Sequence, residues 1–286
     1  MSILRICLRF KSLTLLSLTE CGIENLSKRI INGHEVIKGR YPWFVRLNGC
    51  GGSLITDRHV LTSAHCVPQA TQASNQVVLG VHNASDYSTN RPLEVEKFIL
   101  HEGYKKNVTR YNDIAIIKLK RPIKFSNRLS PICLPDFEET DNLFAYGLGR
   151  QNQNGQIVTA KVLHEVELDR ISQEQCSKYF KDSRWNLDYN ICTLNDKKNT
   201  AICFGDSGSP LSTRKDGQVY QVGTVSVAPN HCNVAGQVYP NAYEKVVEHL
   251  DWIRKHTQDG KYCEGTHHPF SKPRKTWNNR PSNGRY

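Results

Sequence analysis

Short apolar segments separated by turn residues recur along most of this 286-residue chain. Several are rich in β-branched and aromatic residues, a composition typical of β-strands. The segments with this pattern are 44–47, 52–55, 59–61, 77–79, 114–119, 158–168, 210–211 and 220–227. Their shortness and the turn residues between them predict an all-β body.

One stretch has helical periodicity instead. Val246, Leu250 and Ile253 follow one another at i, i+4 and i+7 within 243–256, which predicts a helix near the C-terminus. The following residues, 257–286, are rich in Pro, Asn, Lys and Arg and show no apolar period. This composition predicts a disordered basic tail.

Composition and charge describe a polar, soluble protein. Hydrophobic residues make up 38% of the chain and charged residues 23%, and no apolar run is long enough to span a membrane. The formal net charge of +11 is concentrated at the two ends, and the body from 30 to 256 carries only +4. The charge therefore gives no argument for nucleic-acid binding.

The ten cysteines indicate an oxidising compartment, and we expect a secreted, extracellular protein. Residues 1–19 have a basic start and a short apolar stretch, so they are interpreted as a marginal signal peptide. A misassigned start codon is the alternative explanation for this segment.

The octet CFGDSGSP at 203–210 carries candidate chemistry. Ser207 is a candidate nucleophile, and Gly205 lets its own N–H and that of Ser207 point at one oxyanion. A serine hydroxyl is inert at neutral pH without a base. The octet therefore predicts a histidine and an orienting acid elsewhere in the chain.

His65, in LTSAHC, and Asp113, in YNDIAIIKL, supply these two groups. With the chain order His65, Asp113, Ser207, the sequence resembles the trypsin/chymotrypsin family of serine proteases from about Cys21 to about His256. The resemblance implies two antiparallel six-stranded β-barrels, about 30–135 and 136–256, with the active site in the cleft between them and a C-terminal helix.

The resemblance also assigns roles to these residues. Ser207 attacks a carbonyl carbon, His65 transfers the proton, and Asp113 orients the imidazole. Ser226 matches the family serine that hydrogen-bonds the triad acid. The expected activity is that of a serine endopeptidase acting on polypeptides.

The sequence SKRIING at 27–33 resembles a zymogen cleavage site. Cutting after Arg29 frees the α-amino group of Ile30, which in this family pairs with the acid before the catalytic serine, here Asp206. Residues 20–29 then form a light chain. A basic pair on an ordinary loop is the alternative, but it does not explain the residues that follow Arg29.

The expected specificity pocket departs from that of trypsin. Ala201 stands at the pocket floor, where trypsin-like members carry Asp, so an Arg or Lys side chain would be buried without a partner. Ala228 and Asn241 narrow the pocket, and Phe204 adds apolar surface at its rim. Small or medium uncharged residues before the scissile bond are therefore expected, and cleavage after Arg29 then needs a separate trypsin-like enzyme.

Family-like pairing accounts for eight cysteines. The implied disulfides are Cys21–Cys133, Cys50–Cys66, Cys176–Cys192 and Cys203–Cys232. Cys7 and Cys263 are left over, so Cys263 is free, intermolecular or paired with Cys7. A metal site near Cys263 lacks ligands at usable spacing.

Three glycosylation sequons begin at Asn25, Asn83 and Asn107, and expected surface loops favour Asn83 and Asn107. No metal or other cofactor is expected, because Val81 stands where a calcium-binding relative supplies an acid. Besides the substrate and the upstream activating protease, protein protease inhibitors are expected partners.

Two other functions compete with catalysis. A non-catalytic homologue would bind partners through a protease-shaped body, although such homologues usually lose the serine or the histidine. An adhesive or carbohydrate-binding protein would use the basic tail and bind heparin independently of Ser207.

Overall fold

Each half of the chain forms one curled antiparallel sheet of six strands in the computed structural model. The described residues are 20–25, 35–47, 49–67, 77–86, 92–105, 111–138, 141–153, 156–181, 185–194, 202–228 and 239–263. In the first sheet the strands are β1 Phe44–Leu47, β2 Cys50–Leu54, β3 His59–Thr62, β4 Val78–Leu79, β5 Val95–Leu100 and β6 Ala115–Leu119. Their order across the sheet is β4-β1-β2-β3-β6-β5.

The second sheet has the order β10-β7-β12-β13-β14-β11. Its strands, with the separate hairpin β8–β9, are β7 Leu143–Gly147, β8 Arg150–Gln153, β9 Gln156–Thr159, β10 His164–Leu168, β11 Asn190–Thr193, β12 Pro210–Lys215, β13 Gln218–Val227 and β14 Asn241–Lys245. The fold expected from the resemblance, an all-β body of two six-stranded units, is confirmed.

Within the described ranges the helices are few and short. The α-helices there are α1 Gln173–Ser177 and α2 Leu250–His256, and the 3₁₀ turns are Ala64–Cys66, Leu187–Tyr189 and Val247–His249. A reciprocal capping box between Ser172 and Gln175 begins α1. None of the helices in the described ranges is long and apolar enough to cross a membrane.

The predicted helix at 243–256 is wrong in its first part. Residues 243–245 belong to β14, where Tyr243 pairs with Val225 on one side and Ile191 on the other. Only the residues after this strand are free to turn, so the α-helix begins at Leu250. The predicted strand at 158–168 is likewise divided between β9 and β10.

Apolar packing joins the two sheets. Trp43 and Tyr146 are fully buried, and the Trp43 indole donates a hydrogen bond to the Tyr146 hydroxyl at 2.5 Å. The Tyr41 ring stacks on the Tyr146 ring with centroids 3.8 Å apart. Aromatic side chains from both halves therefore share one core and fix the cleft between the sheets.

Residues 20–25, the described part of the expected light chain, are held by more than the Cys21–Cys133 disulfide. Arg214 donates two hydrogen bonds of 3.0 Å to the carboxylate of Glu24, and Arg40 donates a third of 2.9 Å. Glu24 is about nine-tenths buried. Burial opposes ionisation, but the hydrogen bonds and charges of the two arginines outweigh it and lower the pKa of Glu24.

The C-terminal residues 257–263 correct the expectation of a tail without structure from 257 onward. The Lys261 N–H donates to Asp57 Oδ1 at 2.8 Å, and Asp259 forms ion pairs with Arg58 and Lys118 at 2.9 and 3.1 Å. Cys263 is buried as a free thiol beside the Cys21–Cys133 disulfide. These contacts anchor the segment to the first sheet.

Candidate active site

His65 and Asp113 meet at the edge of the first sheet. His65 lies in the 3₁₀ turn after β3, a turn tied to β2 by the Cys50–Cys66 disulfide, and Asp113 comes just before β6. His65 Nδ1 lies 2.7 Å from Asp113 Oδ2, and the His65 backbone N–H donates to Asp113 Oδ1 at 2.9 Å. The acid thus fixes both the ring and the backbone of the histidine.

Asp113 is ionised in this setting. Burial acts to raise its pKa, but the charge and hydrogen bonds of His65 and a 2.6 Å hydrogen bond from Ser226 Oγ outweigh burial, so the pKa of Asp113 is lowered. An ionised carboxylate only accepts hydrogen bonds, so Nδ1 of His65 carries the proton. In the neutral imidazole Nε2 is then left as the acceptor that a general base requires.

The Ser207 turn packs tightly against the segment that leads to His65. Gly208 has φ +78°, and a Cβ there would lie 2.3 Å from Thr62 Oγ1. The Val225 carbonyl accepts from the Gly208 N–H at 2.8 Å and from Ser63 Oγ at 2.7 Å. Glycine is therefore required at 208, because only a residue without a side chain permits both the positive φ and this contact.

Ser207 is partly exposed, and its carbonyl accepts from the Gly51 N–H at 2.7 Å. No hydrogen bond between described residues joins Ser207 Oγ to His65, whose Nε2 lies 3.8 Å from Cys66 Sγ. Catalytic hydrogen bonds are often long without substrate and tighten in the complex. The turn therefore places the serine near the cleft without engaging the histidine.

Gly205 has the backbone geometry that an oxyanion site needs. Its φ is +100°, and its carbonyl accepts a hydrogen bond from Arg46 at 3.1 Å. Within the described ranges, neither the Gly205 N–H nor the Ser207 N–H is used in a hydrogen bond to another residue. Both donors are therefore available for an incoming oxygen.

Asp206 is buried beneath this turn and faces two backbone donors. Its carboxylate accepts from the Gly149 N–H at 2.8 Å and from the Cys203 N–H at 3.1 Å. Burial raises the pKa of Asp206 to about 6, and the two hydrogen bonds and the more distant Arg46 only partly offset this. An uncompensated buried carboxylate of this kind is costly at neutral pH.

Gly147 and Gly149 make the space for this carboxylate. A Cβ at Gly147 would lie 1.9 Å from Asp206 Oδ1, and one at Gly149 would lie 2.2 Å from Oδ2. Leu148, between the two glycines, is buried in the hydrophobic core that both sheets share. Any side chain at either glycine would displace Asp206 and the turn that follows it.

The pocket residues are described in part. Phe204 is 63% exposed with Arg150 over its ring, Ala228 is partly buried, and Asn241 is 1% exposed. The Oδ1 atom of Asn241 is buried without a hydrogen-bond partner among the described residues. Ala201 lies outside them.

Three of the four expected disulfides are present. They are Cys21–Cys133, Cys50–Cys66 and Cys176–Cys192. Cys203 is also disulfide-bonded, whereas Cys232 lies outside the described residues. Cys50, His65 and Cys66 cluster closely, but both sulfurs belong to one disulfide and offer no thiolate to a metal.

The activation and glycosylation residues are placed only in part. Arg29, Ile30 and Asn107 lie outside the described residues, and Asn83 is partly buried at the start of a turn. The side-chain nitrogen of Asn25 donates to the carbonyls of Gly39 and Asn127 at 2.7 and 2.6 Å. In the folded chain this amide nitrogen is therefore engaged in two hydrogen bonds.

Sequence inspection missed two residues at the site. Arg46 contacts Gly205 across 159 positions, and no local pattern connects them. Glu244 is fully buried and accepts a hydrogen bond from the backbone N–H next to Asp113. An acid inside an otherwise buried strand was the available signal for Glu244.

Comparison with known proteins finds similar chains. The family model described as Trypsin matches residues 30–253. The chain is 35% identical to the proclotting enzyme of Tachypleus tridentatus, over 82% of this chain and 68% of the relative. It is 31% identical to CLIP domain-containing serine protease B4 of Anopheles gambiae, over 82% of this chain and 71% of the relative. It is also 31% identical to phenoloxidase-activating factor 1 of Holotrichia diomphalia, again over 82% of this chain and 71% of the relative.

Proposed function

This chain belongs to the trypsin family of serine proteases, and from that premise we propose that it is a secreted endopeptidase that hydrolyses peptide bonds through an acyl-enzyme. The observation that carries the proposal is the ionised Asp113 bound to His65 Nδ1 beside the Ser207 turn. Ten cysteines and extracellular-type sequons support secretion.

In the proposed mechanism Ser207 Oγ attacks the scissile carbonyl carbon while His65 Nε2 takes its proton. The developing oxyanion is bound by the N–H groups of Gly205 and Ser207. His65 then gives the proton to the leaving amine, and Asp113 stabilises the imidazolium. Water enters next, and the same residues hydrolyse the acyl-enzyme.

Activation is proposed to follow cleavage after Arg29. The new α-ammonium group of Ile30 would pair with Asp206, whose buried carboxylate forms no ion pair within the described ranges. Pairing removes the cost of that charge and fixes the adjoining Gly205 turn. The Cys21–Cys133 disulfide and the Glu24 contacts would keep the light chain attached.

The proposed specificity is for small or medium uncharged side chains before the scissile bond. The Oδ1 atom of Asn241, buried and without a hydrogen-bond partner among the described residues, supports a narrowed, somewhat polar pocket. Replacing Ala201 with Asp should raise kcat/KM for Arg and Lys substrates by at least about tenfold, because a buried cation gains a partner.

The measurement for Ala201→Asp is kcat/KM on matched peptides that differ only in the residue before the cut. Ala201→Asn is the control, because it adds nearly the same volume without the charge. A wild-type enzyme that already prefers Arg strongly would contradict the pocket assignment and require another acid.

Self-activation should be poor, because the zymogen is cut after Arg29 and the proposed pocket rejects Arg. Purified Ser207→Ala zymogen mixed with active wild type should stay uncut at Arg29, and an added trypsin-like protease should cut it. Efficient cleavage by the wild type alone would remove the need for an upstream enzyme. The relatives named as a proclotting enzyme and an activating factor support a place in such a sequence of proteases.

A further inference from the structure

A buried acid–histidine pair from the second sheet contacts the turn that carries Asp113. Glu244, in β14, is fully buried, and His249, in the following 3₁₀ turn, is 2% exposed. Glu244 Oε1 lies 2.8 Å from His249 Nε2 and accepts the backbone N–H of Asn112 at 2.8 Å. Through Glu244, this pair of the second sheet therefore contacts Asn112, the residue just before Asp113.

The contacted turn has an unusual backbone. Asn112 has φ +58°, in the left-handed region, and its carbonyl accepts the Ile114 N–H at 2.8 Å. Asparagine enters this region more readily than most non-glycine residues, and a hydrogen bond from a neighbouring element is a constraint that helps to hold it there. The hydrogen bond to Glu244 supplies such a constraint immediately before Asp113.

Both side-chain oxygens of Glu244 are used in hydrogen bonds. Besides the Asn112 N–H, Asn190 Nδ2 donates to Oε2 at 3.3 Å, so both oxygens act as acceptors. Burial raises the pKa of Glu244, and the Asp113 charge adds to this, while the contacts with His249 and Asn112 oppose it. The donors to Glu244 therefore offset the effect of burial only in part.

Other titratable groups surround the pair. The His101 ring, at the end of β5, lies 5.1 Å from the His249 ring, and the Tyr189 ring lies 6.0 Å from it. Burial lowers the pKa of His101, and His249 lowers it further. On the far side of His101, Glu102 lies 3.3 Å from His256. Asp113 is the group that faces Glu244 from the first sheet.

We propose that Glu244 and His249 are positioning residues for the reaction, a role that rests on the proposed function. They hold the Asn112–Asp113 turn from the second sheet, while Ser226 of β13 holds the Asp113 carboxylate. Asp113 is thus fixed across the cleft at two points. Because residues three apart on a strand face opposite sides, Glu244 points away from the pocket side of Asn241.

Replacing Glu244 with Gln in the Arg29-cleaved enzyme should reduce kcat by about 10- to 100-fold and leave KM within about twofold, because the reacting groups are misaligned and the pocket is intact. The acid limb of the kcat/KM profile should move to lower pH, because His65 loses a well-placed Asp113 carboxylate. A purely structural role would not shift this limb.

Matched variants distinguish loss of the Glu244 hydrogen bonds from a general loss of stability in this sheet. Thr193→Val removes a buried 3.2 Å contact with Tyr243 in the same pair of strands and should leave kcat within about twofold. His249→Leu removes a donor to Glu244 and should lower kcat, and His249→Gln, which retains a donor, should recover part of the loss. If Glu244→Gln fails to fold, the two His249 variants supply the same test.

The downfield proton NMR signal of His65 Nδ1–H, measured in a Ser207→Ala background, tests the alignment without turnover. The signal should shift or broaden when Glu244→Gln is added. If wild type is active but the folded Glu244 and His249 variants keep kcat and this signal, the positioning role is wrong. If wild type is inactive, the proposed function fails, and the signal alone decides the positioning role.

Discussion

Ser207→Ala should lower peptide hydrolysis by the Arg29-cleaved protein by about a millionfold and leave the fold intact. Ser207 lies partly exposed in a turn, and no hydrogen bond of its side chain is seen among the described residues, so deleting the hydroxyl removes the nucleophile at little structural cost. The measurement is kcat/KM, together with the thermal midpoint of the purified variant.

Ser209→Ala is the matched control for this change. Ser209 is two positions away and fully buried, and its Oγ has no hydrogen-bond partner within the described ranges. Its removal should leave activity within about threefold of wild type. Activity of Ser207→Ala comparable to that of Ser209→Ala would show that Ser207 is not the nucleophile.

Asp206→Asn should permit cleavage after Arg29 but leave the cleaved protein about 10²- to 10³-fold less active, as when an oxyanion donor is lost. Without the carboxylate, the Ile30 ammonium group has no partner and the Gly205 turn is not fixed. Cleavage by an added trypsin-like protease does not need the Asp206 carboxylate and should proceed at the wild-type rate. The measurements are N-terminal sequencing for Ile30 and kcat.

The single-chain form offers a second readout for Asp206. Because burial raises its pKa to about 6, the folded chain binds the proton more tightly than the unfolded chain. The contribution of Asp206 to the free energy of unfolding is therefore fully present below about pH 4 and is lost as the pH rises through about 6. The total change is roughly 3 kcal/mol.

Urea denaturation of wild type and Asp206→Asn from pH 4 to pH 8 measures this dependence. As the pH rises, the free energy of unfolding of the wild type should fall relative to that of the variant. A constant difference caused by the Asn side chain does not affect this slope. In the cleaved protein the same loss should be smaller, because the Ile30 ammonium group compensates the charge. An equal slope in both forms would contradict the proposed pairing.

Local patterns made much of the fold predictable. The segments at 44–47, 59–61 and 220–227 are apolar and short, and each forms a strand. Strand β5 was missed because Glu96 and Lys97 interrupt its apolar pattern. Glu96 is paired with Lys118 and Arg58 at 2.7 and 2.9 Å, contacts between distant positions that no local window contains.

The candidate site was likewise predictable only in part. His65, Asp113 and Ser207 each lie in a local motif, so their types and order were visible. The hydrogen bonds of Arg46 to Gly205 and of Asn112 to Glu244 join the two sheets, and only the folded chain brings these groups together. The packing of Cys263 against the Cys21–Cys133 disulfide is a further long-range effect that the basic composition of the tail concealed.

The most direct test of the central claim is covalent labelling of Arg29-cleaved protein with a serine-directed fluorophosphonate, followed by peptide mapping. We expect a single label on Ser207, and no label on the uncleaved chain or on a His65→Ala variant at the same concentration and time. Protein with a verified Ile30 N-terminus that takes up no label and hydrolyses no peptide would contradict this claim and favour a non-catalytic, partner-binding homologue.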